Sequence, residues 1–238
     1  MDGKLSEDLY VDDDLDESVD QPDVREIVFV VDDDVSVRES LEALIAFAGW
    51  EPRTFGTATD FLAAPSATGP SCLVLDVGLP DLNGLVLQQH IANDRADMPI
   101  LFITGHGDIP TTVRAMKAGA VEFLTKPLAD DLLLEAIRAA LTHSRATLEQ
   151  STELRTLRAR YATLSRRERQ VMTLVVAGRL NKQVGAELGI SEITVKAHRG
   201  RVMEKMMAAS FADLVRMSGT LGLVLSLPDD LALRRTAT

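Results

Sequence analysis

Two apolar runs in this chain end in carboxylates. FVVDDD, residues 29–34, closes on Asp32, Asp33 and Asp34, and CLVLD closes on Asp76. Adjacent carboxylates repel one another near neutral pH unless water or a cation screens them. The pattern therefore points to a cation held between two strand ends. Asp32 and Asp33 offer hard oxygens that suit Mg2+, with Mn2+ as a substitute. Asp76 can share that cation through one oxygen and attack phosphorus through the other. Thr104, ending MPILFIT, can donate to a phosphoryl oxygen, and Lys126, ending AVEFLTK, can neutralise another. The Val77 carbonyl and the Gly78 N–H lie just past Asp76. A nucleophile, a divalent cation and donors for developing charge are what phosphoryl transfer requires. Asp34 reads as a helix cap or a solvent-facing group rather than a ligand. His106 invites the role of a base, but no nucleophile–base constellation accompanies it.

These residues must be positioned by a sheet. EIVFVV, EPRTF, SCLVLD, MPILFITG and AVEFLTKP read as strands, and five helical patterns alternate with them. In the first helix, apolar residues recur at Val37, Leu41, Leu44, Ile45 and Ala48, with Ser36 and Glu39 as a capping box and Gly49 as the stop. Alternation of this kind predicts a five-stranded parallel sheet of the flavodoxin-like α/β class, covered on both faces. Ligands in such sheets bind at the C-terminal strand edge, where Asp32, Asp76, Thr104 and Lys126 fall.

Composition divides the 238 residues unevenly. The formal net charge is −11, yet residues 161–217 hold ten basic against five acidic groups. Residues 1–24 hold one lysine against ten acidic groups and read as a disordered acidic extension. Residues 25–142 form the α/β domain and 143–163 a helical linker. Residues 164–217 form an all-α domain, followed by a tail at 218–238. In the linker region Leu134, Leu141 and Leu148 recur every seven residues, followed by Leu154, Leu157, Tyr161 and Leu164. A coiled coil and a plain amphipathic helix both fit. Cys72 is the one cysteine, so no disulfide forms within the chain, and a reducing compartment fits. No apolar run reaches membrane-spanning length and the N-terminus is acidic, so the expectation is a cytoplasmic protein with no membrane partner.

The basic third has the grammar of two helices around a sharp turn. Gly189 suits a positive φ and Ser191 can cap the second helix. On a helical wheel Val195, Val202 and Met206 share one face. Ala197, Gly200 and Glu204 lie opposite, flanked by Lys196 and Arg201. A major groove admits such a helix. Small Ala197 and Gly200 permit close approach, Lys196 reaches a base edge or a phosphate, and Arg199 sits at the rim, placed for phosphate.

Residues 27 to about 141 resemble the receiver domain of two-component response regulators, through VVDDD, LVLDVGLPDLNG, FITGHGD and GAVEFLTKP. Residues 164–217 resemble the LuxR-type helix-turn-helix domain of the NarL/FixJ class. The resemblance implies a phosphorylation-dependent, DNA-binding transcription activator rather than an enzyme. Asp76 would accept phosphate from a cognate sensor histidine kinase. Asp33 would ligate Mg2+ directly, Asp32 through water, with the Val77 carbonyl a further ligand and Gly78, Thr104 and Lys126 contacting phosphate. Thr104 and Phe123 would be a switch pair, and the Lys126–Pro127 bond is often cis in the family. The contacts to double-stranded DNA would come from Lys182, Thr194, Lys196, Ala197, Arg199, Gly200 and Arg201. Residues 108–125 and the helix at 210–217 would pair two chains, on phosphorylation or on DNA, and RNA polymerase would be a further partner. Asp81 stands where many relatives have glycine, a charge that bears on phosphate lifetime or partner recognition. Gly185 stands for a usual alanine, at a cost to its helix of about 1 kcal/mol. Read from residues alone, a protein-interaction module and a metal-dependent phosphatase remain open. The first predicts no salt-dependent duplex binding, and the second predicts multiple turnover on phosphate esters.

Overall fold

A computed structural model describes residues 25–92, 94–105 and 109–223. The acidic extension, His106 and most of the C-terminal tail lie outside the described residues. The chain divides into two compact units, with the boundary between Thr142 and His143.

The first unit runs β1 (Ile27–Val31), α1 (Val35–Phe47), β2 (Glu51–Phe55), α2 (Ala58–Ala63), β3 (Ser71–Asp76), α3 (Gly84–Ile91), β4 (Ile100–Thr104), α4 (Ile109–Lys117) and β5 (Glu122–Thr125). α5 follows over Asp130–Ala162 as one helix. The strands pair in parallel in the order β2-β1-β3-β4-β5. β1, β3 and β4 are buried along their whole length, as expected of central parallel strands covered on both faces. Alternate residues supply two cores. Phe29, Leu73, Leu75 and Phe102 pack with Phe61, Leu87, Ile91 and Ala115 of α2, α3 and α4. Val28, Val30, Val74 and Ile103 pack with Leu41, Ile45, Leu133 and Ile137 of α1 and α5. Cys72 lies in this second core, and burial pushes its thiol far up from its usual pKa.

The cap of α1 differs from the expected Ser36–Glu39 box. Asp34 is the N-cap, and its carboxylate accepts from the N–H groups of Ser36 (2.8 Å) and Val37 (3.4 Å). Both residues are good cap types. The chain leaves β1 only three residues earlier, so the helix starts on the first acceptor it meets.

The second unit contains α6 (Arg166–Val176), α7 (Asn181–Leu188), α8 (Glu192–Met206) and α9 (Phe211–Thr220). α9 runs past Met217, and buried Ser218 belongs to it rather than to a tail. Leu157 and Leu164 pack with Met172, Val202, Met206, Leu214 and Met217, and Tyr161 lies partly buried beside them. Val171, Val175, Val184 and Val195 form a smaller core. Among the described residues no helix is long and apolar enough to cross a membrane.

α6 opens on the capping box that its sequence announces. Glu168 N–H donates to Ser165 Oγ at 3.3 Å, and Ser165 N–H donates to Glu168 Oε2 at 2.8 Å. Lys205 Nζ also donates to that oxygen, at 2.7 Å. The Lys205 contact first, then the Ser165 N–H, lowers the buried Glu168 carboxyl to about 2 from an ordinary 4.5. A lowered folded pKa stabilises fully above the ordinary value and is lost as pH falls through the lowered one. Glu168→Gln should therefore cost the second unit about 1–3 kcal/mol at pH 7. In thermal melts followed by circular dichroism, the gap from the native chain should close as pH falls from about 4.5 towards about 2.

Candidate functional site

β1 and β3 are neighbours, yet the chain leaves β1 for β2 on the opposite side. The connections therefore diverge between β1 and β3, and the crevice of a doubly wound sheet opens there. Val31 pairs with Leu75, so the next step of the register brings Asp32 alongside Asp76. Both are buried. The Lys126 ammonium bridges them, 2.6 Å from Asp32 Oδ2 and 2.9 Å from Asp76 Oδ1. Burial works to lower the Lys126 pKa, but hydrogen bonds to Asp32 and Asp76 outweigh it and hold the ammonium above its usual value. Burial raises the Asp32 carboxyl, against the lowering pull of Lys126 and of the Asp34 N–H donated to Oδ1 at 3.0 Å. The other oxygen of Asp76 accepts the Gly78 N–H.

Thr104 is buried at the end of β4, and its carbonyl accepts the Lys126 N–H at 2.7 Å. The Lys126–Pro127 bond is cis. Phe123 lies partly buried on β5, its ring centroid 6.1 Å from that of Phe102. Asp33 is exposed beside the pocket. Among the described residues, no three acidic, histidine or cysteine side chains gather into a metal cage. The donors still fit a hard cation that keeps most of its own water. Such an ion takes one or two carboxylates, and Asp32 and Asp76 already converge on a positive charge. The Val77 carbonyl accepts the Gly84 N–H at 3.1 Å and keeps a second lone pair.

Two features of the pocket escape the sequence reading. Asp81 is engaged by the start of α2. It accepts from the N–H groups of Ala58 (3.2 Å) and Thr59 (2.9 Å) and from the Thr59 hydroxyl (2.8 Å), tying the loop after β3 to the start of α2. The Thr59 hydroxyl and N–H hold its carboxyl down at about 2. Gly84 is the other. A Cβ there would lie 2.5 Å from the Asp76 carbonyl oxygen and 3.2 Å from the Phe102 ring.

In the second unit the turn between α7 and α8 is built as expected. Gly189 has φ +66°, and Ser191 accepts the Thr194 N–H at 3.1 Å. Gly185 proves to be a packing requirement rather than a weakness. A Cβ on it would lie 2.7 Å from the Ile190 carbonyl oxygen. Val195, Val202 and Met206 point into the core. Lys182, Lys196, Ala197, Gly200 and Arg201 are exposed. Lys196 lies 3.6 Å from Glu192. The Thr194 hydroxyl is 2.8 Å from Ser191 Oγ, within the cap. Arg199 is half-buried. Its guanidinium donates to Asn181 Oδ1 at 3.3 Å and covers the Phe211 ring at 4.5 Å, bracing α7, α8 and α9.

Comparison with known proteins accounts for both units. Residues 28–138 match the family described as response regulator receiver domain, and residues 162–218 match bacterial regulatory proteins of the luxR family. Nodulation protein W of Bradyrhizobium diazoefficiens is 53% identical over 84% of this chain and 88% of its own length. Response regulator protein TmoT of Ectopseudomonas mendocina is 44% identical over 82% of this chain and 89% of its own. Among solved structures, the response regulator StyR is 45% identical with a TM-score of 0.73. It spans 82% of this chain and 98% of that one.

The close approach at Gly84 yields a test. Gly84→Ala gains roughly 1 kcal/mol of helix propensity, but overpacking against backbone costs about 1–3 kcal/mol. The clash should win. Urea unfolding followed by fluorescence of Trp50, the one tryptophan, should show the first unit destabilised.

Proposed function

The chain belongs to the NarL/FixJ class of two-component response regulators, DNA-binding transcription regulators that join a receiver domain to a LuxR-type helix-turn-helix unit, and on that premise we propose that Asp76 is its phosphate acceptor. The meeting of Asp32 and Asp76 on one Lys126 ammonium carries this assignment. A carboxylate oxygen of Asp76 attacks the phosphorus of a phosphohistidine on the sensor kinase. The P–O bond forms as the P–N bond breaks, and the nitrogen electron pair returns to the imidazole. Asp32, Asp33, Asp76 and the Val77 carbonyl would hold Mg2+, which would supply charge neutralisation for the phosphoryl oxygens. Lys126 needs only to keep its contact with Asp32 and turn its remaining donors to the phosphoryl group. The Gly78 N–H and the Thr104 hydroxyl add neutral donors.

Thr104 sits one strand from Phe123, and β4 pairs with β5 in register there. A pull on Thr104 is thus transmitted to the face of α4 and β5. An apolar stripe on that face meets solvent. Ile109, Val113 and Met116 fall at the i, i+4, i+7 spacing of one helical stripe, with Val121 exposed beyond it. Pairing of two chains through this stripe is the proposed response, and it would set two helix-turn-helix units at a fixed spacing for duplex DNA. Activation through RNA polymerase completes the reading.

Acetyl phosphate with Mg2+ should add one phosphoryl group to the chain, and Asp76→Asn or chelation should abolish the gain in intact mass. A fully phosphorylated Asp76→Asn protein would sink the assignment.

The dimer has its own test in sedimentation. The phosphorylated chain should pair, whereas Val113→Asp/Met116→Asp should take up phosphate and stay single. Equal association with and without phosphate would remove pairing as the consequence of phosphorylation.

A further inference from the structure

The outward arc of α8 contains a residue that pattern reading passes over. Ile193 is 80% exposed, in the first turn of the helix. It lies one turn before Ala197 and about two before Gly200, on the side opposite Val195, Val202 and Met206. Single exposed apolar residues are common and carry nothing by themselves. The surroundings of Ile193 make the difference. Ala197 is small, and a Cβ at Gly200 would meet no heavy atom within 4 Å. Ile193 is therefore the bulky apolar group projecting from an otherwise cleared face. Of the polar side chains nearby, Thr194 is engaged in the Ser191 cap and Arg199 with Asn181 and Phe211, while Lys196 stays exposed at 3.6 Å from Glu192.

In a helix-turn-helix unit the N-terminal residues of the second helix meet base edges in the major groove. The apolar feature displayed there is the C5-methyl of thymine. We propose that Ile193 is a specificity-determining residue that packs on a thymine methyl, selecting a thymine under the first turn of α8 in each half-site. The proposal rests on the assignment of α8 to the groove. Removing the methyl loses the burial of about one carbon, roughly a fourfold change in affinity.

Binding sites are selected from random-sequence duplexes with the full chain treated with acetyl phosphate. Each thymine is then replaced in turn by deoxyuridine, and affinity is read by fluorescence anisotropy at constant salt. One replacement per half-site should weaken the native chain about fourfold. Ile193→Ala should bind the thymine and uracil duplexes equally. Alanine at this exposed helical position favours the helix, so folding is retained and circular dichroism should be unchanged. Lys196→Ala is the reference variant. If it loses the selected site while Ile193→Ala keeps the native sensitivity to the methyl, or while no thymine methyl matters to the native chain, Ile193 is not the reader and α8 remains the groove helix. If neither substitution alters binding, the assignment of α8 has failed and this inference with it.

Discussion

The parallel register of β1 against β3 sets Asp32 and Asp76 side by side, and the Lys126 ammonium allows both to remain there as buried charges. Two unit charges about 4 Å apart repel by roughly 4 kcal/mol at the effective permittivity of a protein surface. That cost sits where the sheet can least relax, in strands buried along their whole length. The lysine comes from the end of β5, two strands away from β3 in the sheet. Its backbone is held by the Thr104 carbonyl of the intervening strand. Three strand ends therefore depend on one cation, and a change of charge at Asp76 is felt at all three.

A different logic governs the helical unit, where backbone approach sets the geometry and charge is secondary. Gly185 lets α7 meet the chain entering α8 at a distance that a methyl group would forbid. The cap at Ser191 then fixes where α8 begins, and Val195, Val202 and Met206 fix its rotation. With start and rotation determined, the exposed arc follows without further adjustment. Arg199 adds rigidity by holding an amide on α7 and an aromatic ring on α9 at once. This division resembles good engineering practice for a reading head, in which support and contact are assigned to separate side chains.

Asp32, Asp76, Thr104 and Lys126 were legible because their types are costly at the ends of apolar runs, and a sheet of alternating strands and helices brings such ends together. The capping box at Ser165 and Glu168 and the turn at Gly189 were legible for a similar reason, since each is a local pattern with one geometric solution. Asp34 against Ser36 was ambiguous because both can cap, and the exit point of β1 decides between them. The target of Asp81 could not be read, because Ala58 and Thr59 lie more than twenty residues away and nothing in the local pattern names them. Gly185 looked like a weakness because helix propensity ignores the neighbouring backbone. Ile193 was passed over because an apolar residue carries no charge or hydrogen bond to mark it, and its exposure separates it from buried Val195.

Cys72 has a practical consequence. It is the single cysteine of the chain, wholly enclosed in the sheet, with a thiol that burial keeps protonated. Alkylating reagents and disulfide exchange act through the thiolate and need access, and here they find neither. The native sequence is consequently a silent background for site-directed labelling. A cysteine introduced on the surface of α4 or α8 would be the sole reactive thiol, so a spin label or fluorophore could be attached at one chosen position without first stripping the protein of its own sulfhydryl.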